Sequence, residues 1–323
     1  MSKEIFVNTL QVGEEIVGFF MIKLIGVKTG SNNKQYLDLI LGDSTGEISG
    51  KKWDVSDDEA LRLANIFVGD LVKIKAKVTE WNGTKQLTVT RIRELRADEK
   101  FPMADFVSAA PEDSEEMYDY IYEKALSIGD EGLRSMALLF LDSEKKRLRY
   151  YPAAMRNHHA QYGGLLYHMK RMLMMGEKAC EIYPVLDKDW MICGVILHDM
   201  EKLNEILSNE YGVSPGYSAK GKLLGHISQG VVKISQMAEE VGLDEERTMM
   251  LQHMILSHHY EPEYGSPVKP MFPEAEMLHY LDMIDAKLFD YEEALAGVEP
   301  GNFSEPVFTL DRRMLYKPSF ADE

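Results

Sequence analysis

Hydrophobic and polar residues alternate with a period of two over most of the first 95 residues, which is the pattern of half-buried β-strands. The clearest case is Leu71–Thr79, where small and branched apolar residues alternate with three lysines. Trp81–Thr84 follows with the Asn-Gly pair of a tight hairpin. The predicted strands are Glu15–Thr29, Lys34–Asp43, Gly46–Trp53, Leu71–Thr79 and Gln86–Ile92. With one helix predicted at Asp57–Asn65, this order indicates a five-stranded Greek-key β-barrel of the OB type over residues 1–95.

The pattern changes to a helical period after a proline-containing segment that we interpret as a linker over residues 96–113. Ser114 supplies a cap residue and is followed by two acidic residues, which suit the first turn of a helix. Further helices are predicted over residues 131–141, 162–182, 188–207, 221–241, 244–260 and 274–296. The sequence therefore predicts a multidomain α+β chain, with an all-α domain over residues 114–296 and an irregular C-terminal tail over residues 297–323.

The composition fits this division and excludes several classes of protein. The chain has 323 residues with 45% hydrophobic and 28% charged residues, which is globular and large enough for two domains. No run approaches the ~18–20 apolar residues of a membrane helix, and the first ten residues do not resemble a secretion signal. Two cysteines, Cys180 and Cys193, are too few for a disulfide framework. We therefore expect a cytoplasmic protein with no membrane partner.

The net charge of −17 arises entirely after residue 100. This distribution argues against broad coating of the C-terminal part by nucleic acid. It is compatible with a site that gathers divalent cations, although charge alone favours a solvated acidic surface.

All nine histidines lie between His158 and His279, which indicates a shared role in the C-terminal part. The centre of the group is His198-Asp199, which follows the apolar segment Trp190–Leu197. A buried histidine beside a buried aspartate needs hydrogen bonds or a metal ion to satisfy it. Asp199 is placed to bridge two metal ions, and we expect Lys202, on the same helical face, to neutralise a phosphate oxygen.

Further metal-ligand candidates lie on the apolar faces of other predicted helices. They are His168, His226, His258, His259 and Asp282. Each alone is more often a satisfied core residue. Counting His198-Asp199 and taking His258-His259 as one, five inward-facing sites on separate predicted helices favour a metal site. Imidazole and carboxylate ligands suit Mn, Fe, Co, Ni or Zn.

Several segments carry a specific resemblance. They are Gly163–His168, Gly194–Asp199, Gly225–Ser228, Leu256–His259 and Gly265–Val268. Their order resembles the HD-domain phosphohydrolases and, more closely, the YhaM-type 3′→5′ exoribonucleases, which join an OB-fold to an HD domain. One departure is Glu201, where many HD proteins have glycine.

The resemblance implies a catalytic site and its ligands. It implies that His168, His198, Asp199, His226, His258 or His259, and Asp282 bind two divalent metal ions, manganese first among them. Asp199 and Lys202 would be catalytic, and Asp285 would orient a ligand or contribute to packing. From their positions in the sequence, we expect His158-His159, just before Gly163, to line the substrate entrance, and His253, on a different helical face from His258, to be structural.

The barrel offers candidates for binding a single strand. Basic side chains that could follow a phosphate backbone are Lys73, Lys75, Lys77 and Lys85, and aromatic candidates for base stacking are Tyr36, Trp53 and Trp81. A lysine-bearing strand is also the ordinary solvent face of a small barrel, so the residues alone leave both interpretations open.

Three hypotheses follow. The first is a metal-dependent 3′→5′ exoribonuclease that releases nucleoside monophosphates from single-stranded RNA, with single-stranded DNA as a further substrate and a homo-oligomer left open. The second is an HD hydrolase of small nucleotides or cyclic dinucleotides, which would have little use for an OB domain. The third is a non-catalytic nucleic-acid-binding protein, against which the intact ligand set argues.

Overall fold

The computed structural model describes residues 3–29, 34–53, 55, 63, 65–102, 105–155 and 161–320. The chain divides into two compact units, Met1–Ala109 with Ser208–Gly216, and Ala110–Leu207 with Tyr217–Glu323. The first unit contains the barrel and the second contains the helices. No helix among the described residues combines the length and apolar character that crossing a membrane requires.

The barrel consists of five strands, as the alternating pattern predicts. They are β1 (Glu15–Thr29), β2 (Gln35–Asp43), β3 (Gly46–Lys52), β4 (Leu71–Trp81) and β5 (Thr84–Glu94). Their order around the closed barrel is β1-β2-β3-β5-β4. β3 and β5 pair in parallel, the other neighbours are antiparallel, and β1 closes the barrel against β4. This Greek-key order confirms the predicted OB-type barrel.

Alternation along each strand separates a packed interior from the outer face. Phe20, Leu39, Val72 and Leu87 are fully buried inside the barrel, whereas the odd-numbered lysines of β4 point outward. The helix predicted at Asp57–Asn65 falls almost entirely outside the described residues.

The second unit is helical. Its helices are α1 (Ser114–Leu126), α2 (Glu131–Leu148), α3 (Gly164–Ile182), α4 (Lys188–Leu197), α5 (Lys202–Glu205), α6 (Ala219–Val241), α7 (Glu245–Ser257) and α8 (Pro273–Ala296). Two two-residue strands, β6 (Ile206–Leu207) and β7 (Gly216–Tyr217), pair with each other between α5 and α6. Together with the barrel, the helices confirm the predicted α+β class, although the helical domain also contains this small strand pair.

The single helix predicted over residues 188–207 is wrong. α4 ends at Leu197, His198–Glu201 form a turn, and α5 is one short turn that leads into β6. The apolar spacing continues through the break at Met200 and Leu203, both buried, so periodicity alone could not reveal it. As a result, His198 and Asp199 lie in a turn beyond the helix rather than on its face.

Other helix boundaries also differ from the predictions. α2 extends to Leu148, a buried residue beyond the charged Glu144–Arg147 segment. α7 ends at Ser257 rather than at residue 260, because the chain turns through His258 and His259 to Tyr260, whose φ is 68°. A helix cannot continue through this left-handed conformation, which is unfavourable for an aromatic residue. The C-terminal tail has a one-turn 3-10 helix and two isolated β-bridges, Phe303 with Tyr316 and Val307 with Arg313.

Candidate metal centre

The predicted ligands converge at one place in the helical unit, although they come from five separate segments. His168 lies in α3, His226 in α6 and Asp282 in α8. His198-Asp199 and His258-His259 lie in the turns that follow α4 and α7. Their ligand atoms form two groups, each within 4.8 Å: the first is Asp199, His226, His258 and His259, and the second is His168, His198 and Asp282. Both members of the His258-His259 pair belong to the first group, so the sequence alternative between them is not needed.

Backbone carbonyl groups fix three of the five imidazole rings. The Nδ1 atoms of His198, His258 and His259 lie 2.8, 2.7 and 2.7 Å from the carbonyl oxygens of Val195, Ile255 and Tyr264. A carbonyl oxygen only accepts hydrogen bonds, so each Nδ1 donates its proton. The neutral form of each ring then presents the lone pair of its Nε2 atom to the site.

Carboxylates fix the other two rings in the same sense. His168 Nδ1 lies 2.7 Å from Asp285 Oδ2, and Arg171 Nε lies 2.6 Å from the other oxygen of that carboxylate. His226 Nδ1 lies 2.9 Å from Glu205 Oε2. A carboxylate behind a histidine orients the ring and raises its basicity as a metal ligand. All five histidines therefore direct Nε2 toward the ligand groups.

Asp199 lies between the two groups, with one oxygen facing each. Its Oδ1 is 3.4 Å from His226 Nε2 and 3.8 Å from His258 Nε2. Its Oδ2 is 3.2 Å from His198 Nε2 and 3.8 Å from His168 Nε2. A single buried carboxylate thus faces donors of both groups, which is the arrangement of a bridging ligand.

Asp282 also faces both groups, at longer range. Its Oδ1 is 3.3 Å from His168 Nε2, and its Oδ2 is 3.9 Å from His259 Nε2. Asp199 is 1% exposed, and the Asp282 side chain is 15% exposed. The centre therefore has one fully buried carboxylate, that of Asp199, and one that is partly exposed to solvent, that of Asp282.

Lys202 lies against Asp199, with Nζ 2.6 Å from Asp199 Oδ2. The sequence places Lys202 toward a phosphate, whereas the structure pairs it with a ligand candidate. Glu201, the departure from the common HD pattern, turns away and accepts a hydrogen bond from Asn204 through Oε2 at 2.8 Å. Its side chain therefore does not displace Lys202 from the centre.

The charges of the centre favour cation binding. Burial alone would raise the pKa of Asp199, but Lys202 and His198 outweigh it and hold that pKa well below its usual range. The pKa of Asp282 is also well below its usual range, because hydrogen bonding to His168 outweighs burial. Burial lowers the pKa of His258 and of His259. Two ionised carboxylates and two neutral imidazoles are thus available at neutral pH.

His168 behaves differently from these rings. Burial would lower the pKa of its imidazole, but hydrogen bonds to Asp282 and Asp285 outweigh burial and raise the pKa to about 9. A metal ion at His168 Nε2 therefore has to displace a proton.

The buried polar atoms fit a divalent metal ion. Among the described residues, the Nε2 atoms of His198, His226 and His258 are buried without a hydrogen-bond partner. A buried polar atom without a partner costs free energy, so three of them facing one carboxylate require an explanation. A borderline metal ion with nitrogen and oxygen ligands supplies the missing partner.

Sequence reasoning missed residues that support the ligands. Glu205, Arg171 and His279 were given no role, yet Glu205 and Arg171 hold His226 and Asp285 as described above. His279 Nδ1 donates to the His258 carbonyl oxygen at 2.8 Å. For His279, the one sequence signal of a role at this centre was the confinement of all nine histidines to residues 158–279. His253 Nε2 accepts a hydrogen bond from the Met271 amide, and His158-His159 lie outside the described residues.

On the barrel, the aromatic candidates occupy the outer surface. The rings of Tyr36 on β2 and Trp53 after β3 are 4.7 Å apart. Lys51 Nζ, which sequence reasoning missed, lies 5.6 Å from the Tyr36 ring and 5.8 Å from the Trp53 ring. Trp81, at the end of β4, is 68% exposed. Tyr36, Trp53 and Lys51 therefore form one aromatic and basic cluster on the first unit, and Trp81 is a further exposed ring.

The basic candidates differ in their contacts. Lys75 and Lys77 are exposed on β4. Lys73 pairs with Glu99 at 3.5 Å and lies over the Phe19 ring, and Lys85 donates to the Leu10 carbonyl oxygen at 2.7 Å. Lys75 and Lys77 are therefore better placed to meet a phosphate backbone than Lys73 and Lys85.

Comparisons with known proteins match separate parts of the chain. The HD domain family model matches residues 165–292. A solved structure, the second OB-fold domain of replication protein A from Methanococcus maripaludis, is 15% identical and covers 31% of this chain and 100% of its own, with a TM-score of 0.24. The strand order β1-β2-β3-β5-β4 itself identifies the barrel as the OB type.

Full-length relatives identify the family. The 3′-5′ exoribonuclease YhaM of Shouchella clausii (strain KSM-K16) is 39% identical over 310 residues, which are 96% of this chain and 95% of that protein. The 3′-5′ exoribonuclease YhaM of Bacillus subtilis (strain 168) is 37% identical over 320 residues, which are 99% of each chain. Relatives this similar over nearly their whole length confirm the predicted resemblance, and we conclude that the chain belongs to the YhaM family of 3′-5′ exoribonucleases.

Proposed function

We propose that this protein is a metal-dependent 3′→5′ exoribonuclease that shortens single-stranded RNA and releases nucleoside monophosphates. Family membership supports the reaction and its polarity, since the relatives described above are named for this activity. The helical unit supports the chemistry, and the barrel supports the choice of a polymeric substrate.

The observation that carries the proposal is the position of Asp199 between two groups of ligand atoms. Its two oxygens face His226 and His258 on one side and His168 and His198 on the other. We infer two metal ions, one in each group, with Asp199 shared and manganese as the expected metal. When bound, two such ions activate a water for attack and stabilise the leaving oxygen of a phosphodiester.

The residues of the chain hold this centre and supply further charge. The five histidines direct Nε2 inward with their rings fixed through Nδ1, so the rings need little reorganisation when metal ions bind. Lys202 carries its charge within 2.6 Å of Asp199, and we assign it to offset negative charge on the phosphate in the transition state.

The barrel would capture the strand. Tyr36, Trp53 and Trp81 offer rings on which bases stack, and Lys75 and Lys77 offer exposed charges for the phosphate backbone. Such a surface favours a polymer over a mononucleotide or cyclic dinucleotide. A cytoplasmic location and a homo-oligomeric state stay predictions from the sequence.

The test uses purified protein with Mn²⁺ and a 5′-labelled single-stranded RNA. We expect a ladder that shortens from the 3′ end, mononucleotide products, and no reaction after chelation. A parallel reaction with DNA of the same sequence decides whether single-stranded DNA is also a substrate, and Co²⁺, Fe²⁺, Ni²⁺ and Zn²⁺ test the metal. Activity on cyclic dinucleotides without activity on RNA would instead favour the small-nucleotide hypothesis.

A further inference from the structure

We propose that Glu205 is a positioning residue that holds His226 as a metal ligand, so that one half of the metal centre depends on the short helix α5. The inference rests on the proposed two-metal function. It assigns to Glu205 a role that its place in a four-residue helix gives no reason to expect.

Glu205 makes two hydrogen bonds to the same histidine. Its Oε2 accepts from His226 Nδ1 at 2.9 Å, and its Oε1 accepts from the His226 backbone amide at 3.2 Å. The side chain thus fixes both the ring and the backbone of one ligand. The imidazole then directs Nε2 toward Asp199 Oδ1, 3.4 Å away.

The backbone of α6 is shaped to allow this contact. Gly225 interrupts the helix with φ 67° and ψ 166° directly before His226, a conformation that favours glycine. At Gly221, an added Cβ would lie 2.3 Å from the Glu205 carbonyl oxygen. Two glycines therefore permit the close approach of α6 to the residue that holds His226.

His226 needs this support more than the other ligands of its group. His258 and His259 are fixed by backbone carbonyl oxygens, which no side-chain substitution removes. His226 depends on a side chain of another helix, 21 positions away in the sequence. Truncating that side chain leaves the ring free to turn away from Asp199.

The same helical turn also contacts the shared carboxylate. Lys202 and Glu205 are the first and last residues of α5. Lys202 contacts Asp199, and Glu205 holds His226. α5 therefore supports two ligands of the first group, whereas His168 of the second group is supported by Asp285 from α8.

The experiment starts from full-length protein that a chelator has freed of metal. Mn²⁺ binding is measured by the electron paramagnetic resonance signal of the free Mn²⁺. The wild type should bind two ions. Glu205→Ala should weaken one of the two sites by about 10- to 100-fold, which is the usual effect of losing a partner behind a ligand. Glu205→Gln, whose amide oxygen can still accept from Nδ1, should recover part of that loss.

Two further variants separate positioning from general damage. Glu201→Ala truncates a buried acid directly before α5, one that contacts Asn204 rather than a ligand, and this variant should bind both ions normally. Asp285→Ala, which removes the acceptor behind His168 Nδ1, should weaken the other site, and adding Glu205→Ala to it should weaken both. Circular dichroism of each chelated variant checks that it is folded.

The outcomes are distinct. Two normal Mn²⁺ sites in folded Glu205→Ala would overturn the proposal while leaving the two-metal function standing. A wild type that binds fewer than two ions would overturn the two-metal function itself. Equal weakening of both sites by Glu205→Ala and by Glu201→Ala would show a structural effect and would also overturn the proposal.

Discussion

Replacing Asp199 with asparagine removes the carboxylate that faces both ligand groups while keeping the size of the side chain. The oxygens of Asp199 lie 3.2–3.8 Å from the Nε2 atoms of four histidines. A lost support behind a metal ligand already costs up to about 100-fold in affinity. If both ions share Asp199, as we propose, the loss should be at least that size at each site, or about 10⁴-fold for the pair.

The same substitution lowers the free energy of unfolding of the metal-free protein. Asp199→Asn leaves the ammonium of Lys202, whose side chain is 13% exposed, without its 2.6 Å partner. Breaking a buried ion pair in this way costs about 3–5 kcal/mol, and we expect the lower end because Asp282 also attracts Lys202.

The pH dependence of this stability difference has a defined sign. Since the pKa of Asp199 is depressed in the folded protein, its contribution is present above the unfolded pKa of about 4 and is lost as the pH falls below it. The difference in unfolding free energy between wild type and variant should therefore narrow in acid.

The assays are metal content after Mn²⁺ loading, degradation of 5′-labelled RNA, and urea unfolding of the chelated proteins. Asp199→Asn should retain neither ion and show no ladder. Glu201→Gln, which neutralises a nearby buried acid whose side chain accepts a hydrogen bond from Asn204, should behave as wild type. Two bound ions or wild-type activity in Asp199→Asn would refute the assignment of the shared ligand.

Three further predictions follow from the contacts described. Because the pKa of His168 is raised to about 9, Mn²⁺ affinity should rise by about tenfold per pH unit up to that value. An Mn²⁺ affinity, measured by titration calorimetry, that stays constant between pH 6 and 9 would contradict this. Replacing Lys75 and Lys77 by alanine should raise KM on long RNA and leave hydrolysis of a chromogenic phosphodiester unchanged. The slope of log affinity for RNA against log salt concentration should fall by about 1.4. Equal loss of activity on both substrates would assign the barrel to assembly. Gly221→Ala should lower the free energy of unfolding by about 1–3 kcal/mol, because the added Cβ would lie 2.3 Å from the Glu205 carbonyl oxygen. Gly297→Ala, which has open space around it, should leave the free energy of unfolding unchanged. Equal stability of the two variants would contradict the close packing at Gly221.

The barrel and most helices could be predicted because burial leaves a periodic record in the sequence. Between Val72 and Val78, β4 buries every second residue, so its lysines and apolar residues alternate. The end of α4 could not be predicted, because apolar residues recur at Leu197, Met200 and Leu203 through a turn that is not helical. A period reports which residues are buried, and it reports the backbone only indirectly.

The convergence of the ligands could also be anticipated, since buried polar residues on several apolar faces must satisfy one another. Their supports could not be anticipated. Glu205 and His226 are 21 positions apart in the sequence and meet where Gly225 interrupts α6, and Arg171 and Asp285 meet across two separate helices. Such contacts follow from tertiary geometry and leave no local pattern.

The central claim is that two metal ions share Asp199. An anomalous difference map from a crystal soaked in Mn²⁺ tests it most directly. We predict two peaks flanking the Asp199 carboxylate, one among His226, His258 and His259 and one among His168, His198 and Asp282. A single peak, or peaks away from Asp199, would contradict the account.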